Sequence, residues 1–276
     1  MAYLLNDSSE FVDEMTEGFV AAHPKLVRSV YGGVVRAQAT PSDRVAIIIG
    51  GGSGHYPAFA GVVGPGLAHG AAMGNVFASP SAQQIYSVCK SAASPKGIFI
   101  SYGNYAGDVM NFNQAQDRLN AEGIPTKTVV VTDDIMSAGK NEIHKRRGIA
   151  GDLTVFKVAA AASDAGYTLD EVVRVAKETN DRTRSIGVAF SGCTLPGSET
   201  PLFTVPKGIM ALGLGIHGEP GLSETEIPSA QDLAQDLVER LLAEVPEGCS
   251  NDGARICVLL NLSLIHISEP TRRTPI

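Results

Sequence analysis

Tryptophan is absent from this chain of 276 residues, and cysteine occurs only four times. Cys89, Cys193, Cys249 and Cys257 match neither a zinc knuckle nor a C-x-x-C pair, so the expectation is free thiols, with Cys89 and Cys257 in apolar settings. No apolar run approaches the roughly 20 residues that a membrane span requires. Asp7, Glu10, Asp13 and Glu14 interrupt the first segment, which therefore lacks the form of a signal peptide. No membrane association and a cytoplasmic address are expected. No Lys/Arg run exceeds Lys145-Arg146-Arg147, and the formal net charge is -7. That balance argues against a nucleic-acid partner. A Lys-bearing P-loop and the protein-kinase signature set are also missing, so no phosphoryl-donor site and no bound cofactor are expected.

Hydrophobic residues make up 44% of the chain, enough for a sizeable core. Glycine occurs 30 times, above the roughly 7% of ordinary domains, and without a collagen period. Such glycines belong in turns and at close backbone approaches. Strand-like and helix-like segments alternate. Helices are predicted over Asp7–Ala22, Ser79–Ser91 with Pro80 at the first position, Gly107–Glu122, Leu153–Ala165, Thr168–Thr179 and Ser229–Val245. Asp7 with Glu10, and Thr168 with Glu171, have capping-box spacing. Strands are predicted over Arg44–Ile49, Gly97–Tyr102, Lys127–Thr132, Ser185–Phe190, Met210–Ile216 and Arg255–Leu260. The alternation predicts an α/β fold with a mostly parallel sheet. The polar stretch Asn180–Arg184 suggests a boundary, dividing residues 1–183 from a second α/β unit over 184–261. Residues 262–276, with two prolines and Thr271-Arg-Arg-Thr274, carry no usable pattern and read as a foreign or out-of-frame tail that cuts the second unit short.

Ligands of open α/β sheets gather at the carboxyl ends of strands. Four such ends carry suspicious loops. Gly50-Gly-Gly-Ser-Gly-His-Tyr-Pro57 resembles a phosphate cradle, since exposed N–H groups in glycine turns suit anions, but Pro57 falls where a Rossmann helix should start. Asp108 opens a helix after the second strand, either as a cap or as a base. Asp133 and Asp134 end the third strand, either as metal ligands or as ordinary acids at a helix start. His217 follows a strand and precedes a turn that cannot be helical. His69 reads as a loop histidine. A dinucleotide enzyme would need an acid about 20 positions beyond the glycine loop, and Gly64–Ala72 has none.

Taken together, Gly-Gly-Gly-Ser-Gly-His at 50–55, Gly-Asp-Val-Met-Asn-Phe at 107–112 and Gly-Ile-His-Gly-Glu-Pro-Gly at 215–221 resemble the substrate subunit of the dihydroxyacetone kinase family. The resemblance covers about residues 3–261. It implies a two-domain α/β subunit with mostly parallel or mixed sheets flanked by helices, commonly dimeric. It implies that His217 binds a ketone covalently as a hemiaminal and that Asp108 lies beside the phosphorylated hydroxyl. His55 would hydrogen-bond the sugar, with Gly52 and Ser53 in the same binding loop. ATP or ADP with magnesium would belong to a nucleotide-binding partner domain or subunit. Tyr56 stands where many members have Glu, and Gly103-Asn-Tyr-Ala stands where many have Lys-Asn-Tyr-Thr. These differences flank the substrate and open the reading from dihydroxyacetone to a larger ketose such as erythrulose. A ketose-binding regulatory relative without catalysis is the other alternative.

Overall fold

The computed structural model describes residues 6–250 and 252–261. The tail at 262–276 lies outside the described residues. Six strands form the main sheet in the order β1-β2-β4-β3-β5-β6. They are β1 (Val27–Val30), β2 (Gly33–Arg36), β3 (Ala46–Ser53), β4 (Gly70–Val76), β5 (Ile98–Gly103) and β6 (Thr126–Val131). β3 runs parallel to both β4 and β5, and β5 runs parallel to β6. The β1–β2 hairpin joins antiparallel at the β4 edge, so the sheet is mixed.

Why β3 is central is visible in its side chains. Ala46 and Ile48 point to one face, Ile47 and Ile49 to the other, and all four are fully buried. The first face is covered by α2 (Ala82–Ala92) and α3 (Ala106–Ala121), with Ile85, Val88, Phe112 and Leu119 in that core. The opposite face is covered by α1 (Phe11–Ala22), α4 (Gly151–Asp164) and α5 (Leu169–Arg182). A strand buried on both faces has to be apolar throughout, which is why Arg44–Ile49 reads so clearly.

The structure shifts several predicted elements. Gly50–Ser53 continue β3 rather than opening a loop, so only Gly54 and beyond turn away. α2 is capped by Ser81 in a capping box with Gln84, leaving Pro80 before the cap rather than at the first helical position. The Thr168–Glu171 box forms as read. Asp7 caps a 3₁₀ turn at Ser8–Glu10, which leads into α1. His69 lies in a loop, as read, directly before β4, and it is buried: its Nδ1 accepts from the Ile47 N–H at 3.0 Å, and burial depresses its pKa to about 3. Cys89 is buried, but Cys257 is exposed and has no apolar setting.

A second, three-stranded sheet is antiparallel: β7 (Val188–Ala189), β8 (Ile209–Leu212) and β9 (Ser223–Glu226), followed by α6 (Ala230–Leu242). Arg255–Leu260 joins no ladder and is exposed, contrary to the predicted strand. A strand needs a hydrogen-bonding neighbour as well as β-forming residues, and the described residues supply none there. Among them, no helix is long and apolar enough to cross a membrane.

The basic run 145–147 is not a surface patch. Arg146 is fully buried, donates from Nε to the Ala138 carbonyl at 2.9 Å, and pairs through Nη2 with Glu244 at 3.0 Å. Glu244 lies just past α6, so this pair ties the α6 end to the main body. Removing one partner of a buried pair strands the other charge. Glu244→Ala should therefore lower unfolding free energy by on the order of 3 kcal/mol. A urea midpoint equal to wild type would show that Arg146 does not depend on this carboxylate.

Candidate functional site

The carboxyl ends of β3, β5 and β6 meet the loop between β8 and β9, and the sequence-predicted histidines converge there. His55 follows β3 and His217 lies on the β8–β9 loop, 162 positions later, yet their Nε2 atoms are 3.1 Å apart. His55 stacks on Phe77 at 4.8 Å between ring centroids. Phe77 and Tyr105 both meet the His217 ring edge-on, at 5.3 and 5.0 Å.

Glu219 orients His217. Its carboxylate takes the His217 backbone N–H at 3.0 Å and lies 2.9 Å from Nδ1. In the neutral ring Nδ1 donates to this carboxylate, so Nε2 carries the lone pair and His55 Nε2–H is the donor facing it. Burial opposes the charge on Glu219. The bonds from the His217 ring and from backbone N–H groups overcome it and draw the carboxyl down to about 2. Burial lowers His55 to about 4, helped by the neighbouring His217, so His55 is neutral near pH 7.

Glu219 is in turn placed by Arg147, whose Nη1 lies 3.9 Å from it. Arg147 also donates from Nε to Asp134 at 3.0 Å and from Nη2 to the Gly213 carbonyl at 2.9 Å. Gly215 permits this packing: a Cβ there would stand 2.0 Å from the Glu219 carboxylate and 2.3 Å from Arg147 Nη1. Asp133 and Asp134 are therefore occupied by protein donors. Asp133 takes the N–H groups of Ile149 and Gly151 together with the Ser185 hydroxyl. Neither acid sits at the start of a helix.

Asp108 is the third residue of α3, whose N-cap is Tyr105, so the capping assignment fails. It is 8% exposed, and its Oδ1 is sealed without a partner. Burial raises its pKa to about 6, with a Ser79 hydrogen bond and the His217 charge pulling the other way. Gly52 and Ser53 serve the backbone. A Cβ on Gly52 would meet Ala78 N at 2.7 Å, so the glycine lets the Phe77–Ala78 turn close against β3 and brings the Phe77 ring under His55. Ser53 is buried, and its hydroxyl donates to the Gly74 carbonyl at 2.7 Å.

Sequence reading did not assign a role to Glu219, Arg147, Tyr105 or Phe77. Glu219 stood inside the motif at 215–221, two positions after the loop histidine, without a role of its own. Phe77 adopts φ 55, a non-glycine residue in the left-handed region. An oriented imidazole whose Nε2 carries a lone pair can attack an electrophilic carbon. A buried carboxyl titrating near 6 can accept a proton at neutral pH.

These features define an open-sheet α/β protein with a carboxylate-oriented histidine and a buried acid at its strand ends. The Dak1 domain model matches residues 17–264, and the chain belongs to that family. An L-erythrulose kinase of Pectobacterium atrosepticum is 62% identical over 262 residues, covering 95% of this chain and 44% of that protein. A D-erythrulose kinase of Mycolicibacterium smegmatis is 55% identical over 261 residues, with the same two coverages. The chain thus spans less than half the length of these relatives. The native dihydroxyacetone kinase structure of C. freundii superposes with a TM-score of 0.80 at 34% identity, covering 89% of this chain and 46% of that one.

The raised Asp108 pKa has a stability consequence. Below the unfolded value near 3.8 the group is protonated in both states and costs nothing. Between about 3.8 and about 6 the unfolded state ionises while the folded state keeps its proton, so stability falls over that window and stays low above it, where the folded state carries the buried charge. Asp108→Asn should therefore melt above wild type at pH 8, by on the order of 1 kcal/mol, with the gain vanishing by pH 4. Parallel thermal melts at the two pH values measure this, and a variant no more stable at pH 8 than wild type would contradict it.

Proposed function

We propose that this chain is the ketose-holding part of a kinase for short 2-ketoses, with erythrulose and dihydroxyacetone as the substrate class. The observation that carries the reading is the His217 lone pair at Nε2, oriented by Glu219 and set 3.1 Å from the His55 donor. The relatives named as erythrulose kinases favour the four-carbon sugar within that class.

The chemistry follows from those atoms. His217 Nε2 forms a bond to the carbonyl carbon, and the C=O π electrons move to oxygen. The developing oxyanion meets the His55 Nε2–H, while Glu219 balances the imidazolium charge on His217. Proton exchange with solvent leaves a neutral hemiaminal. Glycerol has no carbonyl and cannot form it, which separates ketone from alcohol more sharply than size can. Asp108 then accepts the proton of a terminal hydroxyl as that oxygen attacks phosphorus. Gly52 shapes the sugar-facing loop, and Ser53 holds that loop to β4.

The phosphoryl group comes from a nucleotide-binding partner domain or subunit carrying ATP or ADP with magnesium. The working assembly is a cytoplasmic homodimer in which residues 1–183 and 184–261 act as two units. The isolated chain therefore binds ketose without turning over ATP.

His217→Ala should abolish the ketose-sized mass increase that native mass spectrometry detects on the wild-type chain; an increase that persists ends the covalent role. Asp108→Asn should retain the adduct but reduce phosphorylation at least 100-fold when a nucleotide-binding partner is supplied, within the range for loss of a general base. A rate near wild type ends the assignment of Asp108 as base.

A further inference from the structure

Phe77 directly follows β4 and belongs to none of the three buried clusters that pack the sheet against its helices. Its ring instead meets both site histidines. It stacks on His55 at 4.8 Å with an interplanar angle of 22°, and it meets His217 at 5.3 Å and 70°. The two imidazoles are 5.0 Å apart between centroids. The three rings form one closed set of contacts, and Phe77 is the member without a polar atom.

The backbone is bent to deliver that ring. Phe77 has φ 55, a conformation unfavourable for a residue with a Cβ, which persists only where the surroundings fix it and which clusters at functional sites. Here the Phe77 N–H donates to the Ser53 carbonyl at 2.9 Å, and the Ala78 N–H donates to the Asn75 carbonyl at 3.0 Å. The glycine run supplies the room. A Cβ on Gly54 would stand 3.0 Å from Phe77 Cε1, and one on Gly52 would stand 3.0 Å from Phe77 Cα. Gly52 and Gly54 thus make a socket for Phe77. Glu219 orients His217, whereas among the described residues no carboxylate bonds the His55 ring. The plane of His55 is set by what its face rests on.

We propose that Phe77 is a positioning residue for ketose capture: its ring fixes the plane of His55, so that Nε2–H points at the oxygen of a ketone held on His217. The proposal rests on the ketose-binding reading above. Burial keeps His55 neutral, with a pKa of about 4. A neutral imidazole has one N–H, so that donor has to be aimed, whereas an imidazolium would offer a donor at either nitrogen. A ring stacked on one face of the imidazole restricts its rotation and keeps water off that face.

The test is a double-mutant cycle on the full chain, with dihydroxyacetone affinity read from the adduct fraction in native mass spectrometry. Phe77→Leu keeps apolar bulk and removes the stacking face. It should weaken dihydroxyacetone about tenfold, the loss of one hydrogen bond to a charged oxygen. On a His55→Gln background the same change should cost less than about twofold, because the group that Phe77 aims is gone. Phe77→Tyr keeps the ring and should stay within about threefold of wild type. Phe77→Gly adopts φ 55 without strain and replaces the leucine variant in the cycle if that variant does not fold. Equal weakening on both backgrounds, no weakening on the wild-type background, or a tyrosine variant as weak as the leucine one overturns the proposal and leaves the ketose-binding reading intact. A wild-type chain that forms no adduct overturns both.

Discussion

Arg147 binds Asp134 at 3.0 Å, binds the Gly213 carbonyl at 2.9 Å and stands 3.9 Å from Glu219. Through these contacts it joins the end of β6 to the β8–β9 loop. Asp134 is nearly sealed from solvent, with 3% of its side chain exposed, so its charge needs this partner. The guanidinium holds one carboxylate in the main sheet and sits beside another on the loop. The second carboxylate then selects the His217 tautomer. Without that arrangement Nε2 would have no reason to face His55. Buried ion pairs add little net stability, but they enforce one geometry over its neighbours, and here the geometry is the orientation of an imidazole.

Glycine at two places lets this geometry exist. Gly215 leaves the volume that Glu219 and Arg147 occupy, and Gly52 leaves the volume into which the Phe77–Ala78 backbone closes. The site is also held against its own electrostatic preference. Asp108 and Asp152 are both pushed upward by burial, and the Asp108 charge adds to the shift at Asp152. Buried acids that resist ionisation in this way are a cost to stability, and such groups cluster at functional sites.

Much of the scaffold was legible because its physical signals are local. Arg44–Ile49 read as a buried strand since burial on both faces excludes polar residues. Thr168 with Glu171 read as a helix start since the capping box lies within one turn. The β1–β2 hairpin and β4 were not read: Gly70–Val76 is small and polar-poor without alternation, and its pairing is with β3, distant in sequence. Arg255–Leu260 shows the reverse failure, where β-forming residues lack a neighbouring strand. Arg146 and Arg147 looked like surface charge because nothing in Lys145-Arg-Arg147 tells a buried guanidinium from a solvated one; Glu244 and Asp134 decide that.

By itself the sequence determined the α/β class, the helix covering most of the α3 span, and the motif residues His55, Asp108 and His217, because periodicity, caps and short glycine-bearing motifs are written within a few residues of one another. Only the tertiary structure decided that His55 and His217 face each other, that Glu219 sets the tautomer, that Asp108 is no cap, and that Tyr105 and Phe77 end beside the same imidazole. Those facts depend on side chains from β3, β5, β6 and a distant loop meeting at one sheet edge. Burial and charge at that edge are sums over neighbours that no single stretch of sequence contains.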